Sequence, residues 1–339
     1  MKVAIAGATG AVGADLIDLL ERRNFPLSSL KLLASARSVG KKLTFKGQEI
    51  TVEELTADSF EGIDLAFFSA GGSRSEEFAP AAVKAGAIVV DNSSAFRMDE
   101  GVPLVVPEVN GEAAFSHHGL IANPNCTTIQ MVVALNPLHQ KSPIQRIVVS
   151  TYQAVSGSGA KALEELKQQT KDWAAGKPMK NEIYPYPIAF NVIPHVDVFK
   201  ENDYTKEEMK MVFETRKIMS APDIRVSATC VRVPVFRAHS ESINIETRDK
   251  ITAAEARAIL EQAPGVVVFD EKKPGGYPVP AEISGKFDTY VGRIREDISC
   301  DNGLALWVVA DQLYKGAALN AIQIAEILLT RPKNQGGLG

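Results

Sequence analysis

Cysteine is scarce in this chain, a basic excess is absent, and no apolar run approaches membrane-spanning length; each shortage removes a class of function. Three cysteines in 339 residues, an odd number lying far apart, make no disulfide framework and fit a reducing cytoplasm. A net charge of −4 supplies no basic field, so a small-molecule partner is expected rather than nucleic acid or a membrane surface. Met1 and Lys2 are followed by only four apolar residues before Gly7, and Asp15 soon interrupts, which does not make a signal peptide. No His/Cys/Asp spacing suggests a metal site. What is present is apolar content, 45% of the chain, enough with this length to fill two cores rather than one.

The first stretch with chemical content is at the start. Lys2 to Ala6 is a short apolar run feeding Gly7-Ala8-Thr9-Gly10-Ala11-Val12-Gly13, after which Leu16, Leu19 and Leu20 recur at helical spacing. Strand, glycine turn and helix in that order suit a dinucleotide: glycines let the backbone approach a pyrophosphate, and the helix presents free N–H groups. The next strand, Leu30 to Ala34, should end beside the adenosine ribose, where an acid would hold the 2′-hydroxyl of NAD. Ser35-Ala36-Arg37-Ser38 stands there instead, and an arginine with flanking hydroxyls suits the 2′-phosphate of NADP. Further strands are expected at Ile63 to Ser69, Ile88 to Asp91 and Leu120 to Ala122, with a helix from Ser75 to Ala85. Strands alternating with helices predict an α/β fold, a Rossmann-like, doubly wound parallel sheet. Arg97, in a loop at the carboxyl end of such a strand, is either an anion clamp or a surface ion-pair partner.

Leu120 to Ala122 stops at Asn123-Pro124-Asn125, and the helix-period segment Ile129 to Leu138 follows, so Cys126 sits where a strand hands over to a helix. Unpaired N–H groups and the positive dipole end at such a place favour a thiolate over a thiol. The competing reading is a small core hydrophobe. Beyond this helix the pattern changes. Ile144 to Thr151 reads as another strand, Ser227 to Val233 and Ser242 to Glu246 as strands with one wetter face, as in antiparallel sheets, and helices are expected over Ala160 to Ala175, Glu207 to Met219 and Ala317 to Leu329. A second, α+β domain follows, with an irregular proline loop around Tyr184 to Pro194. Periodicity does not rank the five histidines as a general base, but His239 stands out because Arg232 to Glu241 leaves a strand at a proline with an arginine and a glutamate nearby.

Together the residues resemble a known family. Gly7 to Gly13, Asn123-Pro124-Asn125-Cys126, Thr151 to Gly157, Glu214 with Lys217, Arg232 to His239, and Gln312 in Ala310-Asp311-Gln312-Leu313 are similar, in order and over nearly the whole chain, to the bacterial aspartate-β-semialdehyde dehydrogenases. The resemblance implies an NADP-dependent enzyme that interconverts L-aspartyl-4-phosphate and L-aspartate-4-semialdehyde in biosynthesis of lysine, threonine, methionine and isoleucine. It implies Cys126 as acyl-accepting nucleophile, His239 as acid/base and Gln153 as the residue orienting substrate. Arg232 would bind the α-carboxylate, Glu214 the ammonium, and Arg97, Asn125 and Lys217 the phosphate. Gly7, Thr9, Gly10, Ala11, Val12, Arg37, Ser38, Ser156, Gly157 and Gln312 would contact NADP. Residues 1–126 would form the dinucleotide-binding domain, completed by the C-terminal helix 313–330, and residues 127–312 would bind substrate and build a homodimer or homotetramer; outside the resemblance, the polar, glycine-rich composition of 331–339 predicts a flexible tail. Two alternatives remain: an N-acetyl-γ-glutamyl-phosphate reductase, and a non-catalytic NADP-binding protein. A short-chain dehydrogenase would need a Tyr-x-x-x-Lys pair, which is not found.

Overall fold

The structure, a computed structural model, describes residues 1–339 except for the Lys333 side chain. It divides into two compact units, Met1–Asn125 with Ala317–Gly339, and Cys126–Gly316.

The first unit is built on a seven-stranded sheet. Its strands are β1 (Lys2–Ala6), β2 (Ser29–Ala34), β3 (Lys42–Phe45), β4 (Gln48–Glu54), β5 (Leu65–Phe68), β6 (Ile88–Asp91) and β7 (Leu120–Ala122), in the order β3-β4-β2-β1-β5-β6-β7. All pairings are parallel except β3 with β4. The short apolar runs explain this: Val3 to Ala6 and Leu65 to Phe68 are buried throughout, as strands covered on both faces must be. Helices α1 (Ala11–Arg22) and α2 (Gly72–Lys84) follow β1 and β5. Because β2 and β5 flank β1, the winding reverses there, and such a reversal opens a crevice at the strands' carboxyl ends. The β3-β4 hairpin lay outside the sequence reading; Lys46 and Gly47, at φ 48° and 74°, make its tight turn.

The chain returns at its end as helix α9 (Leu319–Leu328), which packs on α1 and is tied there by Arg23, whose Nε and second guanidinium nitrogen donate to the two oxygens of Glu326 at 2.7 and 2.6 Å. The expected flexible tail is different in the structure. Residues 331–339 fold back on this unit: the Leu338 amide donates to the Leu328 carbonyl, the Gly336 carbonyl meets His117 Nε2 at 3.0 Å, and Leu338 is buried. Gly336, at φ 77°, provides the reversal that composition alone does not reveal.

The second unit carries a six-stranded sheet of β8 (Ile144–Gln153), β9 (Arg225–Arg232), β10 (His239–Thr247), β11 (Val266–Val268), β12 (Thr289–Glu296) and β13 (Gly303–Ala310), ordered β11-β12-β13-β10-β8-β9. The sheet is mixed rather than antiparallel. β10 runs antiparallel to β8 and β13, but β8 and β9 are parallel, since the long connection containing α5 (Ala160–Ala174) and α6 (Lys206–Ile218) is the kind of crossover a parallel pair needs. Helices α4 (Cys126–Lys141), α6 and α7 (Ala253–Glu261) pack on one face. The proline loop has a seat of its own. The Gln169 side chain accepts from the Ile188 and Ala189 amides and donates to the Lys180 carbonyl, beside a small core of Val155, Leu166, Ile188 and Ile193. Among the described residues no helix is long and apolar enough to cross a membrane.

Candidate functional site

In the first unit the glycine turn has no room for side chains. Gly7 adopts φ 94°, and a Cβ there would lie 2.7 Å from the Ser69 carbonyl carbon; a Cβ on Gly13 would lie 2.3 Å from the Gly7 carbonyl oxygen. A cavity of about 420 Å³ opens beside this turn, lined by Gly7, Thr9, Gly10, Ser35, Arg37 and, unforeseen from sequence, Arg74. Thr9 Oγ1 donates to Ser38 Oγ at 3.3 Å, joining the turn to the segment after β2. With close backbone approach, a helix N-terminus and two cations but no acid at the end of β2, the cavity fits a dinucleotide bearing a 2′-phosphate. Ala11 and Val12 open α1. Arg97 is buried, not a surface residue: its Nε donates to the Asn123 carbonyl and a terminal nitrogen to the Asn92 carbonyl, both at 2.9 Å. Asn125 is buried at the end of the same unit.

In the second unit Cys126 is the first residue of α4, three residues before the apolar periodicity begins. This helix is apolar nearly all round because it is buried nearly all round, against β8, β10, β12 and β13. Gly316 lies against the cysteine: a Cβ there would be 2.7 Å from Cys126 Cβ and 3.4 Å from Gln312 Cβ. Gln312 in turn accepts from the Ala238 amide at 2.7 Å and donates to Ser156 Oγ. The nucleophile candidate is thus two neighbours away from the residue preceding His239. The other cysteines keep structural places. Cys230 is buried on β9, its thiol pushed far up by burial, and Cys300 lies in a turn.

The sheet face under α4 and α6 carries two polar rows. Arg232 on β9 is the register partner of Gln153 on β8, and the Ala154 amide donates to His239 Nδ1 at 3.0 Å, so Arg232, Gln153 and His239 cross three adjacent strands. One step back along the strands, Cys230, Thr151 and Glu241 form the second row. Arg232 donates to the Ala154 carbonyl at 2.7 Å, while its Nε and His239 Nε2 have no protein partner. A Cβ on Gly157 would lie 3.0 Å from Arg232 Nη1, the nitrogen that donates to the Ala154 carbonyl, and 3.4 Å from His239 Nε2, so a glycine here leaves the imidazole donor open. Ser156, Gly157 and Gln312, expected as cofactor contacts, sit here. Glu214 and Lys217 lie on α6, which packs on β9, and Glu214 is buried.

Burial dictates the charge state of two groups in these rows. His239 is fully buried beside the Arg232 guanidinium, and these two effects push its pKa down to about 3 against the pull of Glu207 and the Ala238 carbonyl. Its ring is therefore neutral, and since Nδ1 accepts from a backbone N–H, the proton resides on Nε2. Glu241, also fully buried, has two oxygens without a hydrogen bond of normal geometry. Burial raises its pKa well above the usual carboxylate value, with only Gln130 opposing, so it is a neutral acid. Sequence reasoning noted Glu241 only as company for His239 and missed Thr151 and Glu207, whose positions become meaningful through cross-strand register and a helix start. Three of the other four histidines have structural places: His117 and His139 accept from the Gly119 and Ile144 amides, and His195 stacks on Phe199. Among the described residues no group of three or more His, Cys, Asp or Glu is placed to hold a metal ion.

Comparison with known proteins places both units. Residues 2–117 match the family described as semialdehyde dehydrogenase, NAD binding domain, and residues 135–315 the semialdehyde dehydrogenase, dimerisation domain. The chain is 59% identical over 332 residues to the aspartate-semialdehyde dehydrogenase of Aquifex aeolicus, covering 97% of this chain and 98% of that one. It superposes with a TM-score of 0.94, at 48% identity and over 97% and 98% of the two chains, on aspartate semialdehyde dehydrogenase II of Vibrio cholerae complexed with ASA. With the Candida albicans enzyme crystallised with NADP the TM-score is 0.76 at 27% identity, over 98% and 99% of the chains.

The charge state of Glu241 has a consequence for stability. Its raised pKa means that the folded protein keeps a proton that the unfolded chain releases once pH passes the ordinary value of 4.5, so stability falls as pH rises from there toward the raised value. Glu241→Gln, a neutral isostere, is expected to unfold at the same or a higher temperature than the parent, with a shallower decline toward alkaline pH. Thermal unfolding midpoints across pH 5 to 9 test this; an equally steep decline in both proteins would mean that Glu241 is ionised in the fold.

Proposed function

This chain belongs to the aspartate-semialdehyde dehydrogenase family, and from that premise we propose that Cys126 carries the acyl group as a thioester while Arg232, Gln153 and His239 hold and polarise it. The protein is an NADP-dependent oxidoreductase of the aspartate pathway of amino-acid biosynthesis, interconverting L-aspartyl-4-phosphate and L-aspartate-4-semialdehyde plus phosphate.

In the biosynthetic direction the Cys126 thiolate attacks the acyl carbon, the bond to the phosphoryl oxygen breaks, and phosphate leaves. Arg97, Asn125 and Lys217 are candidates for holding the phosphoryl group. Arg232 meets the α-carboxylate through its unpartnered Nε, and the buried acid Glu214 meets the ammonium. Gly7, Thr9, Gly10, Arg37 and Arg74 would hold NADPH, whose chemistry would be to supply the hydride that reduces the thioester. The thiohemiacetal oxygen then bears the negative charge until the C–S bond breaks and thiolate is regenerated. Because a thiolate enters and a thiolate leaves, this half-reaction needs a hydrogen-bond donor for the oxygen rather than a proton. Neutral His239, with its Nε2–H aimed away from the backbone, is such a donor, which narrows the acid/base role expected from sequence.

The observation that carries this reading is the pair of buried, unpartnered donors, His239 Nε2 and Arg232 Nε, with the side-chain-free Gly157 packed against the imidazole and the guanidinium. An N-acetyl-γ-glutamyl-phosphate reductase would have no use for a buried acid such as Glu214, and a silent NADP-binding protein would show no thiol dependence. NADP⁺ reduction with L-aspartate semialdehyde and phosphate, run beside N-acetylglutamate semialdehyde and beside thiol-alkylated enzyme, separates the three. We further place the protein in a reducing cytoplasm, consistent with three cysteines that form no disulfide, as a homodimer joined through the second unit.

Cys126→Ser is expected to lose nearly all turnover while NADP binding, followed by nucleotide fluorescence, survives; substantial residual turnover would remove the cysteine from the reaction. His239→Ala should lower kcat by about 100-fold, as removal of a single oxyanion donor does, and His239→Asn, which keeps an N–H donor, should recover part of it. The pH profile of kcat should show no imidazole inflection near 6.5, because the folded ring titrates at about 3. An inflection there that vanishes in His239→Asn would restore proton transfer to this residue.

A further inference from the structure

Gln153 is 1% exposed, and both ends of its carboxamide are committed. Thr151 Oγ1 donates to Gln153 Oε1 at 3.0 Å, and Gln153 Nε2 donates to Glu207 Oε1 at 3.1 Å. An amide side chain can ordinarily be turned over at little cost, exchanging donor for acceptor. Here it cannot. A carboxylate only accepts, so the nitrogen must face Glu207, and the hydroxyl then completes the arrangement from the other side.

Glu207 is itself held. It lies in the first turn of α6, where the helix dipole favours an anion, and Lys210 Nζ donates to its second oxygen at 2.9 Å while also meeting Asp197 Oδ2 at 2.9 Å. Glu208, the next residue, closes a capping box with Thr205 and accepts from the Cys230 amide, which fixes the start of the helix against β9. Asp197 belongs to the irregular loop that follows α5. A chain of contacts therefore runs from that loop through Lys210 and Glu207 to Gln153 and ends at Thr151 on β8.

We infer that Glu207 is a positioning residue: with Thr151 opposite, it locks the Gln153 carboxamide in one orientation and so fixes where its remaining N–H and its remaining lone pair are offered to the substrate. The inference rests on the reading that Gln153 touches substrate. After the bonds to Glu207 and Thr151, Gln153 keeps one N–H and one lone pair, and their places are set by the two locks. An N–H at that position, in the same row as Arg232 and His239, suits an acyl or carboxylate oxygen. Glu207→Gln removes the lock without changing shape, because glutamine at 207 offers either edge and the Gln153 amide can then turn over.

The test is a double-mutant cycle in the full-length enzyme, reading kcat and KM for L-aspartate semialdehyde and KM for NADP⁺. Glu207→Gln is expected to lower kcat by about ten-fold with KM for NADP⁺ unchanged, Glu207→Asp, which keeps an acceptor, to lower it less, and Thr151→Val to lower it several-fold. In a Gln153→Ala background, Glu207→Gln should have no further effect. The inference is overturned if Glu207→Gln leaves kcat within about two-fold of the parent, or if its effect is the same size with Gln153 already removed. Full activity in Gln153→Ala overturns the inference by a different route, since then Gln153 itself does not touch substrate. If Glu207→Gln does not fold, Thr151→Val run through the same cycle gives the same decision from the other side of the amide.

Discussion

One backbone hydrogen bond, from the Ala154 amide to His239 Nδ1, constrains the chemistry of the second unit more than any other contact. It assigns the tautomer, and with the tautomer it assigns the function of the ring. An imidazolium would carry a proton on Nδ1 facing an N–H, so protonation would require breaking this bond inside a dry environment, where an unsatisfied donor costs about 1–3 kcal/mol. Burial and the adjacent Arg232 guanidinium act in the same direction. The histidine is thereby kept in the one form that donates outward from Nε2 at any pH a cell provides.

Holding the ring in that place takes further structure. Ala238, immediately before it, has φ 73°, a left-handed conformation that costs a non-glycine residue of order 1–3 kcal/mol. Two contacts hold this kink. Gln312 accepts from the Ala238 amide, and Asp311, fully buried, accepts from Arg237 Nε at 2.6 Å, from the Gly285 amide and from the amides of Leu313 and Tyr314. The segment after β13 thus clamps the segment before β10. Gln312, which sequence resemblance assigns to the cofactor, has both ends of its carboxamide occupied by this brace, and Gly316 four residues on keeps Cys126 close to the same segment.

Much of this was legible in the sequence, and the limits of legibility have physical reasons. The glycine turn, the absence of an acid after β2, and the proline that stops β7 before Cys126 are local signals: each depends on what a few consecutive residues can do with their own backbone. The α/β alternation is also local in this sense. What was not legible depends on register. Thr151 bonds Gln153 locally, two residues along β8, but only the alignment of β8 with β9 and β10 sets it beside Cys230 and Glu241. Glu207 looks like a solvated residue at a helix start; only the packing of α6 on β9 turns it inward. The β3-β4 hairpin lay hidden because its strands are short and polar, with burial patterns that alternate poorly. The last residues read as disordered on composition, yet one leucine and a few backbone bonds seat them.

Glu207 and Glu241 show how one sheet face sets two carboxyl groups to opposite purposes. Both are buried, and both lie next to residues of the polar rows. Glu207 occupies a helix N-terminus, takes an ion pair from Lys210 and accepts from Gln153, so its charge is matched and it serves as a group that can only accept. Glu241 has Val308 and Thr151 as its strand partners, and the carboxamide of Gln130, one turn beyond Cys126 on α4, is its only polar influence. No cation compensates it, and burial keeps it protonated. The distinction matters for Cys126. An ionised Glu241 beneath the helix that begins at the nucleophile would oppose a thiolate there, whereas a neutral one does not. The same face therefore places negative charge where it orients an amide and withholds it where it would compete with sulfur, and environment rather than residue type makes the difference.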